Sequence, residues 1–214
     1  TNRMLSLCQN FPNNCFPMMG LHPCDVNLEN YETEIKHVKK ELLTNKYIAV
    51  GEIGIDLHWD KSTLEIQKKA FSKQILLAKK YNLPIVIHVR NSFEETIKIV
   101  EKYNDDKLSG VFHCFTGNIN EANRIICLKN FYIGVGGVLT FKNSNLDETI
   151  SKIDDKHLLL ETDSPYLTPV PYRGTRNESK HIIEIAKKLG EIKNISLEKV
   201  SRFTNDNANR LFKI

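Results

Sequence analysis

Pro84-Ile85-Val86-Ile87-His88-Val89-Arg90 is the stretch on which the fold class turns: a short apolar run that stops on a histidine and an arginine. A run this short, rich in β-branched residues and opened by proline, reads as a buried strand rather than a helix. Side chains two apart share a face of a strand, so His88 and Arg90 are expected to point together and Val89 to point away. Working outward, similar runs occupy residues 15–21, 47–53, 109–112, 131–135 and 158–161. Most of them also end in acids or imidazoles: His22, Glu52 to Asp56, His113, and Glu161 with Asp163.

Helical spacing fills the intervals. Leu64, Phe71, Ile75 and Ala78 recur on one face, leaving Lys68, Lys69, Lys79 and Lys80 on a solvated face. Ser62 with Glu65, and Ser92 with Glu95, have the spacing of reciprocal capping boxes and predict two helix starts. Further helices are expected over residues 28–43, 120–128, 146–153, 179–189 and 205–212, the fourth of these stopping at Gly190. The first residues look like the polar stretch of a helix. No linker-like composition divides the chain, so a single domain over residues 1–214 is expected.

Composition narrows the function. The 214 residues are 41% hydrophobic, enough for one sizeable core, and no apolar run approaches the roughly 18 residues of a membrane span. Thirty basic residues against 26 acidic ones leave a net charge of +4, too mild to name a partner. Five cysteines, with no C-x-x-C, suggest reduced thiols and a cytoplasmic protein rather than a disulfide framework or zinc knuckle.

Repeated strand–helix units leave two architectures, an open doubly wound sheet and a closed barrel. Neither G-x-G-x-x-G nor a phosphate loop ending in Gly-Lys-Ser/Thr occurs, which removes the usual signature of a nucleotide-binding sheet. In a parallel barrel the carboxyl ends of the strands share one mouth, where barrel enzymes place their chemistry. Taken singly, His88 is more readily a hydrogen-bonded core histidine, and Asp163 a turn cap. Four strand ends carrying such groups point instead to a shared site. Glu52, His88, His113 and Asp163 make a mixed nitrogen and oxygen donor set suited to zinc, manganese or magnesium but not to copper(I). Arg90, Arg173 and Arg176 offer forked donors for phosphate. Cys114, next to His113, is expected to point away and pack; Cys24 has no assigned role. His37, His181 and His157 are expected at the surface, and His58 in a loop.

Eight segments carry a resemblance that runs nearly end to end. They are Gly20-Leu21-His22-Pro23, Gly51-Glu52-Ile53-Gly54-Ile55-Asp56, the stretch ending at Arg90, and His113-Cys114-Phe115-Thr116-Gly117. Then come Gly134 to Lys142, Leu159 to Leu167, Arg173-Gly174-Thr175-Arg176-Asn177-Glu178, and Asn207-Ala208-Asn209-Arg210-Leu211-Phe212. In this order they resemble the TatD family of metal-dependent hydrolases, deoxyribonucleases on the barrel of the amidohydrolase superfamily. The resemblance implies a TIM-barrel-like α/β fold with about six of eight strand–helix units in this chain. It implies two divalent metal ions. Glu52 would bridge them, His88 and His113 would bind the second, and Asp163 would bind the first and orient the attacking water. His22, Arg90 and Arg173 would lie near the scissile phosphate.

The family opens with a His-x-His pair that this chain lacks, so N-terminal units with two further ligands are expected upstream; the chain alone is expected to bind the first ion poorly and hydrolyse DNA weakly or not at all. The substrate expected is DNA, single-stranded and trimmed from the 3′ end, with no membrane and no obligate protein partner. Two alternatives remain: a hydrolase of D-aminoacyl-tRNA or another ester on the same site, and an inactive relative that binds nucleic acid or protein.

Overall fold

The computed structural model describes residues 1–214. Six strands lie in one sheet in sequence order: β1 (Met18–Met19), β2 (Ala49–Asp56), β3 (Ile85–Arg90), β4 (Gly110–Phe112), β5 (Phe131–Val135) and β6 (Leu158–Leu160). The pairs β1–β2, β2–β3 and β5–β6 are parallel. Helices alternate with them: α1 (Asn2–Asn10), α2 (Tyr31–Leu42), α3 (Leu64–Tyr81), α4 (Phe93–Tyr103), α5 (Ile119–Cys127), α6 (Leu146–Ser151), α7 (Ile182–Lys193) and α8 (Leu197–Phe212). No helix is long and apolar enough to cross a membrane. The chain divides into two compact units, Thr1–Gly110 and Val111–Ile214.

In the first unit, β2 is buried along most of its length and β3 over its first three residues, because parallel strands covered by helices need apolar residues on both faces. Ala49, Val50, Ile53, Ile55, Ile85 and Ile87 are fully enclosed, and Phe71, Ile75 and Ala78 of α3 supply the facing helix surface. The register sets Gly54 opposite His88. A Cβ at Gly54 would strike the His88 carbonyl, and its φ of +148° is one that L side chains rarely adopt, so glycine is required at this crossing. In the second unit, Phe112 and Phe131 pack with ring centroids 6.0 Å apart. Asn207 of α8 donates to the carbonyls of Asp155 and Leu158, both at 2.9 Å, pinning the start of β6.

Several local expectations are corrected. The first strand pairs over two residues only, at the end of the sheet order, where one side has no ladder to extend it. Neither expected capping box forms. Ser62 bonds back to Asp60 instead, its N–H at 2.8 Å and its hydroxyl at 2.7 Å, and α3 starts after Thr63. Ser92 does cap α4 by position, but its hydroxyl donates to the Ile55 carbonyl at 2.5 Å. A capping box does form at Asn118 and Glu121, opening α5. The helix expected to end at Gly190 runs through it to Lys193 and stops on Asn194 in the left-handed region. Gly190 lies where a Cβ would come within 3.0 Å of the Ile195 carbonyl, so its role is close approach of the chain. The last helix begins at Leu197, well before residue 205.

Candidate metal centre

His88 organises the first unit's polar cluster. Its Nδ1 lies 2.8 Å from Glu52 Oε1 and 3.3 Å from His22 Nε2, while its Nε2 lies 2.9 Å from Asp56 Oδ2. His22 Nε2 is 3.8 Å from Glu52 Oε1, and the two imidazole rings meet edge to face at 4.6 Å. One donor atom from each of His22, Glu52 and His88 falls within 4.8 Å of the others, a group that could hold a metal ion. His22, expected only beside substrate, thus joins the ligand side of the cluster.

The scaffold beneath explains how these side chains are held. His22 caps a 3-10 turn (Pro23–Asp25), its Nδ1 accepting from the Cys24 N–H at 3.2 Å. Gln74 of α3 reads the backbone of neighbouring Leu21 like a partner strand: its Oε1 accepts from Leu21 N–H at 2.7 Å and its Nε2 donates to Leu21 C=O at 3.1 Å. Gln67, two turns earlier on the same helix, does the same for Asp56 at 2.8 and 3.0 Å. Both glutamines are buried, where unpaired amides would be costly.

Electrostatics follow from this packing. Burial pushes the His22 pKa below its usual value, and the nearby His88 adds to the effect, so the ring stays neutral. Burial opposes ionisation of Asp56, but hydrogen bonds from the His58 N–H and the His88 ring prevail and hold its carboxyl below the usual range. Burial, with Asp56 alongside, raises the Cys24 thiol to about 11. Arg90 shares its face with His88 by position, yet its guanidinium lies over the exposed Trp59 ring at 5.4 Å. A cavity of about 540 Å³ opens here, lined by Cys24, Asp25, Asn30, Asp56, Trp59 and Gln67 among others.

The second unit holds a separate cluster around His113. Its Nδ1 meets Glu161 Oε2 at 2.6 Å and its Nε2 lies 3.3 Å from Asp163 Oδ1. Glu161 Oε1 also accepts the Cys114 N–H. A Cβ at Gly134 would come within 2.9 Å of Glu161 Oε2, so the bare backbone there leaves room for the carboxylate. Cys114 and Asp163 both adopt left-handed backbone, with φ of 46° and 53°, which is uncommon for cysteine and better tolerated by aspartate. Asn177 braces the Asp163 loop by donating to Thr162 C=O at 2.7 Å and Tyr166 C=O at 2.6 Å. Arg173 donates to Thr168 C=O at 3.0 Å, and its guanidinium stacks on Phe141 at 3.9 Å.

His181, expected at the surface, is buried: it stacks on Tyr172 at 4.5 Å and meets Asn177 Oδ1 at 3.0 Å, so its ring braces the same loop. His37 is exposed and His58 lies in a loop, as expected, whereas His157 is half-buried. The sequence shows Asp56 and Glu161 only as strand-end acids without a role, and gives no sign of Gln67, Gln74 or the bracing by Asn177. For Asp56 a signal existed, since Glu52, Gly54 and Asp56 alternate along one strand; the two glutamines, seven apart, sit on the apolar face of α3 beside Phe71.

Comparison with known proteins follows the same lines. A family model described as TatD related DNase matches residues 1–213. A Bacillus subtilis (strain 168) protein named uncharacterized metal-dependent hydrolase YabD is 40% identical over 201 residues, covering 93% of this chain and 78% of its own length. The uncharacterized metal-dependent hydrolase BU355 of Buchnera aphidicola subsp. Acyrthosiphon pisum is 39% identical, covering 100% of this chain and 78% of its own. The crystal structure of YJJV, a TatD homolog from Escherichia coli k12, superposes with a TM-score of 0.91 at 27% identity, covering 100% of this chain and 82% of that one. An uncharacterized amidohydrolase from Saccharomyces cerevisiae, at 18% identity and a TM-score of 0.84 over 98% of this chain and 84% of its own, shares the fold. The alternating strands and helices therefore form the TIM-barrel-like α/β fold of these neighbours.

Proposed function

The chain belongs to the TatD related DNase family of metal-dependent hydrolases, and on that premise we propose that it hydrolyses phosphodiester bonds of DNA, releasing nucleotides from the 3′ end of single strands. The observation that carries this reading is the convergence of His22, Glu52 and His88, whose donor atoms lie within 4.8 Å of one another. Mixed imidazole nitrogen and carboxylate oxygen is a donor chemistry that suits zinc, manganese or magnesium, so the residues present fit a divalent ion. Glu52 and His88 in the first unit, and His113 and Asp163 in the second, are the residues proposed to hold such ions, two in number. A bound divalent ion supplies Lewis acidity, neutralising phosphate oxygens and acidifying water.

The chain's own residues then have separable tasks. Asp163 Oδ1 is proposed to orient the attacking water and take its proton. His22 is proposed to lie beside the scissile phosphate, its ring held by the Cys24 N–H donating to Nδ1. Arg90 and Arg173 are proposed as forked phosphate donors; Trp59 and Phe141 beneath their planes restrict the guanidinium orientations. Five cysteines without a C-x-x-C support placing the protein in the cytoplasm.

The test is to supply magnesium, manganese or zinc and measure nucleotide release from 5′-labelled single-stranded DNA. The expected result is a ladder shortening from the 3′ end, lost in Asp163→Ala. Release no greater than that of Asp163→Ala, or hydrolysis of D-aminoacyl-tRNA in a parallel reaction while DNA stays intact, overturns it.

A further inference from the structure

We infer that Trp59 and the cavity beside it form a nucleobase subsite that favours amino-bearing bases over thymine. The inference rests on the DNA reading above and places the part of the nucleotide which that reading leaves unassigned. The cavity, of about 540 Å³, has the size of a small-ligand site. Asp56 and Cys24 line it and also meet the cluster of His88 and His22, so a molecule held there lies beside that cluster.

Trp59 supplies the stacking wall. Its side chain is 74% exposed, while Phe71 and Ile75 of the same unit are fully enclosed. An indole left this bare forgoes the stabilisation that burial brings, and a bare aromatic face is what a base stacks on. The groups against it suit the rest of a nucleotide. Arg90, one of the proposed phosphate donors, lies over the ring at 5.4 Å, and His58 meets it edge to face at 4.7 Å. A phosphate on Arg90 and a base on the indole are thus within the span of one nucleotide.

Charge decides which end of that nucleotide enters the cavity. Asp25, Asp56 and Asp60 line it and no lysine or arginine does, so a phosphate is repelled and an uncharged base is admitted. Ionised carboxylates only accept hydrogen bonds. The Asp25 side chain is uncommitted, since only its backbone carbonyl is engaged, by Asn30. Asp60 gives Oδ1 to Ser62 and keeps Oδ2 open. Cytosine, adenine and guanine each carry an exocyclic amino group for such acceptors, whereas thymine presents carbonyl oxygens in its place. Cytosine and thymine are alike in size, so the comparison between them isolates that group.

The chain has a single tryptophan, so its fluorescence reports on this subsite alone. The experiment titrates the protein, with magnesium chloride present, with short single-stranded homopolymers of deoxycytidine and of deoxythymidine whose phosphorothioate links resist cleavage. Both are expected to quench the indole, deoxycytidine binding about 5-fold or more tightly, as one added hydrogen bond predicts. Trp59→Ala, followed by anisotropy of fluorescein-labelled strands, is expected to weaken binding of both by about 5–100-fold. Trp59→Phe should recover most of that loss, with circular dichroism unchanged in both variants. Asp25→Asn combined with Asp60→Asn is expected to bring the two affinities together, whereas loss of charge alone would raise both alike. Bound DNA that leaves the indole unquenched, equal affinity of the unsubstituted protein for the two homopolymers, or undiminished binding by Trp59→Ala overturns this inference and leaves the nuclease reading standing. Quenching with the expected preference, but no cleavage of ordinary DNA, supports the subsite and removes the nuclease reading. Absence of any DNA binding removes both.

Discussion

His88 lies within a strand, whereas His113 lies one residue beyond the end of one, and the two compact units support their histidines by different means. In the first unit the support is two parallel strands, whose register shifts between Val50 and Ile53, and a helix whose buried glutamines pair with the chain as a neighbouring strand would. In the second it is irregular, made of residues in left-handed backbone and braced by side chains, Glu161 on Cys114 and Asn177 on the loop around Asp163. The first design spreads its support over many hydrogen bonds. The second concentrates it on a few side chains, so its stability is more local.

Three substitutions sharpen or break this contrast. Replacing Gln74 by Leu keeps the volume but leaves the buried N–H and C=O of Leu21 without their partner, and the loss expected is about 2–4 kcal/mol by urea unfolding. Asn177→Ala removes the donor shared by the Thr162 and Tyr166 carbonyls, for which about 1–2 kcal/mol is expected, since carbonyls near a surface loop regain water. Its hydrogen exchange should rise around Asp163 while α3 is unaffected. If Asn177→Ala proves the more destabilising, or loosens both units alike, the contrast between a distributed and a local support is wrong. The smallest effect belongs to Asp105, on the first unit's surface, whose pKa is lowered chiefly by its hydrogen bond to Lys79. A depressed carboxyl pKa contributes stability above the ordinary aspartate range and loses it as pH falls through the folded value. Asp105→Asn should therefore lower stability slightly at neutral pH and converge with the unsubstituted protein as pH falls below the carboxyl's folded pKa, which flattens the acid limb of the curve.

These features were unequally legible. The strands at residues 131–135 and 84–89 could be read within a residue of their ends because a buried parallel strand needs an uninterrupted apolar run, and that need is local. The spacings at Ser62 and Ser92 misled because a hydroxyl has several acceptors in reach, and Asp60 and the Ile55 carbonyl won. Gly190 misled because glycine serves close approach as well as helix ends. At the candidate site, the donor-bearing strand ends were visible as a pattern. Their carboxylate supports were not, since Asp56 reaches His88 across 32 residues and Glu161 reaches His113 across 48. Spacing along the chain carries no record of such pairs.

Helix α3 is pinned at Gln67 to the end of β2 and at Gln74 to the segment just before His22. A rigid rod fastened at two places behaves as a lever. Any tilt of that rod, from a ligand pressing on its exposed side or from a substitution beneath it, would turn two histidine environments at once and in proportion, making the helix a single mechanical input to both.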